Sequence, residues 1–190
     1  ETVYTRSNKR QGLFKVYDKP VLRRLDISSG KDWFLFPIHV GSKLVFVVVN
    51  KEYLALAAGL GNLFELASFD IVKHKKPDGI YVLGLDNSFF EERGDFNGVI
   101  YREDDGTYVG VVGDDPKIDY FGYMKKMILT IHNLLVIDEG KLPIHGALAS
   151  IKLRNGKKAN VMLIGDSGAG KSETLDALNR LSSEVSEVNI

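Results

Sequence analysis

Cysteine is absent, so neither a disulfide framework nor a thiolate metal site can form. That absence suits a reducing compartment without requiring one. Net charge is absent as well. The 25 basic and 25 acidic side chains leave no overall field with which to grip nucleic acid or an anionic membrane, and only a local patch could do so. Long apolar runs are missing. The longest, Lys43-Leu-Val-Phe-Val-Val-Val-Asn50, is far too short to span a bilayer and has the length of a buried strand. Residues 1–11 are polar and hold no apolar core of a secretory signal. These absences lead to the expectation of a soluble, cytoplasmic protein. What remains is a chain of 190 residues, 44% hydrophobic, enough for one sizeable core or for a medium domain with part of another.

The first two thirds are rich in β-favouring segments. Residues 13–17, 33–40, 44–49, 80–85, 99–102 and 108–112 all predict strands, and Asp104-Asp105-Gly106 between the last two is a hairpin turn signal. Residues 53–69 carry apolar side chains at helical spacing, which Gly59 and Gly61 should divide into two pieces. The strongest helical pattern is 119–138, with Phe121, Met124, Met127, Ile128, Ile131, Leu134, Leu135 and Ile137 recurring every three to four residues, and Gly140 as its stop. The fold class expected is α/β: an α+β region over 1–140 that ends in a long helix, followed by the start of a nucleotide-binding domain over 141–190.

That second part carries the chemistry. Residues 143–153 predict a strand, Asn155-Gly156 a tight turn, and 159–164 a second strand. The second strand runs into Gly165-Asp166-Ser167-Gly168-Ala169-Gly170-Lys171-Ser172, and 171–181 predict a helix. Strand, glycine loop and helix form the context that a P-loop requires. Its glycines let backbone N–H groups converge on phosphate oxygens where a Cβ would crowd the ligand. The helix that follows directs its positive end at the same anion. Lys171 is then expected on the β- and γ-phosphates of ATP or GTP, and the Ser172 hydroxyl on Mg²⁺. A glycine-rich turn that merely joins strand to helix is the plainer alternative, and the apolar strand before the loop argues against it. Glu173 either touches the metal's water shell or simply suits the positive end of the helix. His145 either reaches the phosphates as a general base or is an edge-strand histidine satisfied by a carbonyl.

Ile144-His145-Gly146, a strand, and then Gly165-Asp166-Ser167-Gly168-Ala169-Gly170-Lys171-Ser172-Glu173 resemble the catalytic domain of HPr kinase/phosphorylase. The loop is equally similar to that of phosphoenolpyruvate carboxykinases. With Thr174 and Leu175-Asp176-Ala177-Leu178 included, it also resembles a group of bacterial carboxykinase-related proteins. The likeness covers residues 142–181. It implies catalytic roles for His145 and Lys171, metal binding by Ser172, ATP or GTP with Mg²⁺ or Mn²⁺ as cofactors, and a protein hydroxyl, a small metabolite or oxaloacetate as acceptor. The hairpin here is longer, with Arg154-Asn155-Gly156-Lys157-Lys158 at its tip, and the first region shows neither the kinase family's N-terminal domain nor the carboxykinases' arginine-bearing substrate motif. Both families use aspartates after the P-loop helix, so the chain is expected to be a piece of a longer protein. A regulatory nucleotide sensor without efficient catalysis is the competing expectation.

The remaining candidates have simpler uses. His39, His74 and His132 are scattered and lack metal-ligand spacing. Asp114-Asp115 could form an acidic metal pair, although Pro116 suggests a turn leading into a helix. Lys73-His74-Lys75-Lys76 and Glu91-Glu92-Arg93-Gly94-Asp95 have the character of solvated loops. Trp33-Phe34-Leu35-Phe36 and Phe89-Phe90 could line a pocket, but aromatic clusters more often pack a core.

Overall fold

The computed structural model describes residues 14–27, 32–92, 95–115, 120–165, 168–180 and 185–189. The chain divides into two compact units, 1–141 and 142–190. Helices and strands are mixed in both, an α/β architecture.

The first unit is built on a seven-stranded sheet in the order β1-β6-β7-β5-β3-β2-β4. The strands are β1 Lys15–Tyr17, β2 Trp33–Val40, β3 Lys43–Asn50, β4 Glu65–Leu66, β5 Gly79–Leu85, β6 Val99–Arg102 and β7 Tyr108–Gly113. The three central strands, β3, β5 and β7, run parallel. The flanks are mixed: β2 is antiparallel to β3 and β6 to β7, while β1 lies parallel to β6. Buried parallel strands need apolar residues on both faces, which is why β3 and β7 are nearly continuous runs of valine. Val45, Val47 and Val49 join one core with Tyr81 and Leu83, whereas Val82, Val109 and Val111 join a second core on the other face.

Helix α3, Phe121–Asp138, covers the first of these faces. Met124, Met127, Ile128 and Ile131 are its buried stripe, at the predicted spacing. The helix lies close because two strand positions lack a side chain. A Cβ at Gly79 would stand 2.6 Å from Ile131 Cγ2, and one at Gly110 would stand 2.9 Å from Ile131 Cδ1. The last turn of α3 carries Asp138 and Glu139, acids at the negative end of the helix dipole. Cations offset them: Arg102 and the Tyr108 hydroxyl donate to Asp138 at 3.0 Å each, Lys141 donates to Glu139 at 2.6 Å, and Lys43 at the start of β3 pairs with Glu139 as well.

Between β3 and β5 the structure departs from the sequence pattern. Of the expected helix over 53–69, only α1 Leu54–Ala58 and a 3₁₀ turn, Gly59–Asn62, are present. The chain then extends into β4, which pairs with β2 and adds an edge to the sheet. Lys73 and His74 lie in a helix, α2 Phe69–His74, and not in a solvated loop. The Ser68 hydroxyl caps it by accepting from Asp70 N–H at 3.3 Å, while Asp70 in its first turn and Lys73 and His74 in its last turn suit the dipole. The expected start of α3 at Asp119, and Pro116 before it, lie outside the described residues, and the helix is seen from Phe121.

The second unit is a three-stranded antiparallel sheet in the order β10-β8-β9. It comprises β8 Gly146–Leu153, β9 Lys158–Ile164 and β10 Val185–Asn189, with helix α4 Lys171–Arg180 packed on β8. Asn155 and Gly156 turn the hairpin as expected: Gly156 has φ +84°, and Asn155 Oδ1 accepts from Lys157 N–H at 3.0 Å. Both β9 and β10 are antiparallel to β8, so they run parallel to each other, and α4 is the crossover between them.

Two outcomes test this packing. Ile131→Ala should cost about 2–5 kcal/mol, read as a lower urea midpoint at unchanged slope. Lys141 and Lys43 hold the Glu139 carboxyl down to about 2 from its ordinary 4.5. A depressed carboxyl contributes stability above its unfolded value, so that contribution should fade as pH falls from about 4.5 towards 2. Glu139→Gln should flatten this part of the stability–pH curve.

Candidate phosphate-binding loop

The loop grows out of the β8–β9 hairpin. The register runs from Lys152↔Lys158 to Gly146↔Ile164. Continuing it by one residue sets His145 level with Gly165, the first residue of the loop. His145 is exposed and lies just before β8, not within a strand beginning at Pro143 as expected from sequence. The glycine beside it has a local reason, since a Cβ at Gly146 would stand 2.7 Å from the Leu163 carbonyl oxygen. The His-Gly pair therefore combines a displayed imidazole with a residue small enough for β8 to close on β9.

The loop turns on glycines. Gly168 has φ +83° and Gly170 φ +78°, values that side chains of L-residues rarely adopt. At both positions a Cβ would meet nothing within 4 Å, so the loop backbone is open there to the approach of an anion. Gly165 is small for a different reason: a Cβ there would meet Ala169 Cβ at 2.8 Å. Asp166 and Ser167 lie outside the described residues.

Helix α4 begins at the loop. Its first backbone bond runs from Thr174 N–H to the Gly170 carbonyl at 2.9 Å, and the Thr174 hydroxyl donates to the same oxygen at 2.8 Å. The N–H groups of Ser172 and Glu173 precede that first bond and have no acceptor within the helix, as at every helix start. Ser172 and Glu173 are exposed at this end, and Lys171 is half-buried. Lys171 reaches back six residues, and its ammonium donates to the Gly165 carbonyl at 2.6 Å. The structure thus brings Gly165, Gly168, Ala169, Gly170, Lys171, Ser172 and Glu173 together between β9 and the first turn of α4, while His145 lies one residue before the Gly146↔Ile164 pair. Among the described residues, His39, His74 and His132 included, no group of three or more His, Asp or Glu side chains is disposed to hold a metal ion. The pinning of Gly170 by Thr174 is a feature the sequence pattern did not single out; a threonine three residues after the loop lysine was its only signal.

The donor set fits a phosphate. It offers a cation, an exposed hydroxyl and a helix N-terminus around glycines whose missing side chains leave the space open. It also fits Mg²⁺, which keeps most of its waters and takes few protein ligands beside phosphate oxygens; Ser172 would be its protein ligand. No helix among the described residues is long and apolar enough to cross a membrane.

Gly165→Ala should force Ala169 and the loop apart. The expected cost is about 1–3 kcal/mol, as for other overpacked sites, measured by chemical denaturation, with amide exchange quickening first around Gly170. No family model matches the chain, and no curated protein matches it either.

Proposed function

We propose that this chain is the nucleotide-binding part of a cytoplasmic phosphoryl-transfer enzyme that uses ATP or GTP with Mg²⁺, related to the phosphoenolpyruvate carboxykinases and HPr kinases. The observation that carries this reading is the Lys171 ammonium lying 2.6 Å from the Gly165 carbonyl, at the loop's own opening. A lysine held there has its ammonium where the loop begins, within reach of a phosphate bound along the loop. Its charge would then offset the negative charge that accumulates on the transferring group. The loop amides and the N-terminus of α4 supply further positive potential, and the Ser172 hydroxyl would hold Mg²⁺. His145, which precedes β8 and is exposed, would take the proton of the acceptor hydroxyl as general base. The acceptor is a small metabolite or a protein hydroxyl.

A second reading, a nucleotide-sensing module without efficient turnover, is favoured by one observation. Among the described residues no group of three or more acidic or histidine side chains converges, whereas phosphoryl-transfer sites commonly use carboxylates for metal and nucleophile.

Calorimetric titration with MgATP and MgGTP tests the shared premise. Saturable binding is expected, weakened about tenfold or more in Lys171→Ala, a loss of about 1.4 kcal/mol; unchanged affinity in that variant overturns both readings. His145→Ala separates them. An enzyme should lose about 10²–10⁴ in kcat with nucleotide affinity nearly kept. A sensor should show no turnover in either protein.

A further inference from the structure

The carboxyl ends of β3, β5 and β7, in the first unit, surround a second candidate site. In open α/β sheets ligands settle outside this edge of the parallel strands. Here the edge holds a cleft of about 500 Å³, within the usual range for small-molecule sites. Asn50 ends β3, Gly84 and Leu85 end β5, and Asp114 follows β7. Trp33 enters beside Asn50, its cross-strand partner.

The floor is shaped by a break in the sheet. The register between β5 and β7 shifts between Leu83 and Leu85. Gly84, at φ +95°, makes the shift, and a Cβ there would stand 2.7 Å from Asn50 Cβ. Bulges of this kind recur beside binding sites, where they redirect the chain. The rim is tied down: Asp114 N–H donates to the Leu85 carbonyl at 3.0 Å, and Asn87 Nδ2 donates to the Asp114 carbonyl at 2.9 Å.

The chemistry of the walls is one-sided. Among the described residues that line it are three aspartates, Asp26, Asp86 and Asp114, and one guanidinium, Arg24. Arg24 is already committed to Glu91 at 3.1 Å and lies 5.3 Å from the centre of the Phe89 ring. Asp86 accepts from Ser88 N–H at 2.8 Å, a contact that favours its charged carboxylate, and Asp114 accepts from the Tyr53 hydroxyl. An anionic ligand would be repelled. A bare divalent cation fits poorly too, because no three such groups among the described residues converge tightly enough to hold one. Trp33 and Phe89 add aromatic surface to which an apolar body or a cation is attracted.

We propose that this cleft binds a small organic cation, an amine or guanidine carried on an apolar body, with its charge against the aspartates and its body against Trp33 and Phe89. The residues lining the cleft all belong to the first unit, and it takes ligands of charge opposite to a phosphate.

Trp33 is the only tryptophan in the chain, so intrinsic fluorescence of the whole protein reports on the cleft. The probes are 1,5-diaminopentane and phenethylamine, against 1,5-pentanediol and 2-phenylethanol as neutral counterparts and inorganic phosphate as an anion. Expected is a saturable fluorescence change with the amines at about 1 mM or below, and none over the same range with the alcohols or phosphate. Asp86→Asn keeps a capping side chain but removes one charge, and should weaken amine binding about three- to fivefold, the worth of one exposed ion pair. Lys171→Ala should leave amine binding unchanged. The proposal is overturned if the amines give no saturable change, if the alcohols bind equally well, if Asp86→Asn binds as tightly as the parent, or if Lys171→Ala abolishes the response.

Discussion

The antiparallel pairing of β8 with β9 is the constraint on which the glycine loop depends. Its register sets which residue stands at the mouth of the loop, and a slip of one position would turn every side chain of the strand to the other face. Gly146 allows that pairing to close, because any larger residue would press on the Leu163 carbonyl. From this one ladder follow the place of His145, the exit point of Gly165 and the direction in which the chain enters α4. Lys171 then completes the turn from the far side, since a side chain at the first helical position can reach the carbonyl from which the loop departs.

In the first unit the corresponding constraint is the close seat of α3 on β5 and β7. Ile131 occupies space that strand side chains would otherwise fill at Gly79 and Gly110. The helix covers one face of the central parallel strands. Such strands are stable only when both faces are dry. Their carboxyl ends stay open, and there the sheet carries its polar side chains. Burial and display are thus two consequences of one arrangement: the valine runs end together, and the residues that follow them, Asn50, Asp86 and Asp114, share one rim.

Electrostatics separates two kinds of polar site on this chain. The loop gathers a lysine, a helix N-terminus and exposed amides, all complementary to an anion. The described lining of the cleft gathers three aspartates and one guanidinium, Arg24, which shares the Glu91 carboxylate with Lys19. A formal charge of zero conceals this contrast, because net charge reports only the sum of local fields and not their placement.

Sequence by itself determined the local elements with strong periods: β2 and β6 at their observed bounds, β3, β5 and β7 to within a residue or two, and the buried stripe of α3. It also carried the expectation for the loop, because a run of glycines followed by Lys171 and Ser172 encodes backbone shape and charge within eight adjacent residues. It made legible the break of the 53–69 helix at Gly59; it missed the extended chain beyond, where helical spacing lost to the hydrogen bonds that β4 makes with the edge of β2, and the helix at Lys73 and His74, where the Ser68 cap was overlooked. It did not find β10, whose bulge between Val185 and Glu187 breaks the alternation that marks a strand. Only tertiary structure decided the strand order, the setting of His145 against Gly165, and the meeting of Trp33, Phe89 and Asp114 around one cleft. Each of these joins residues far apart in the chain, and such contacts are chosen by sheet register and by which faces can be buried together, neither of which a local pattern records.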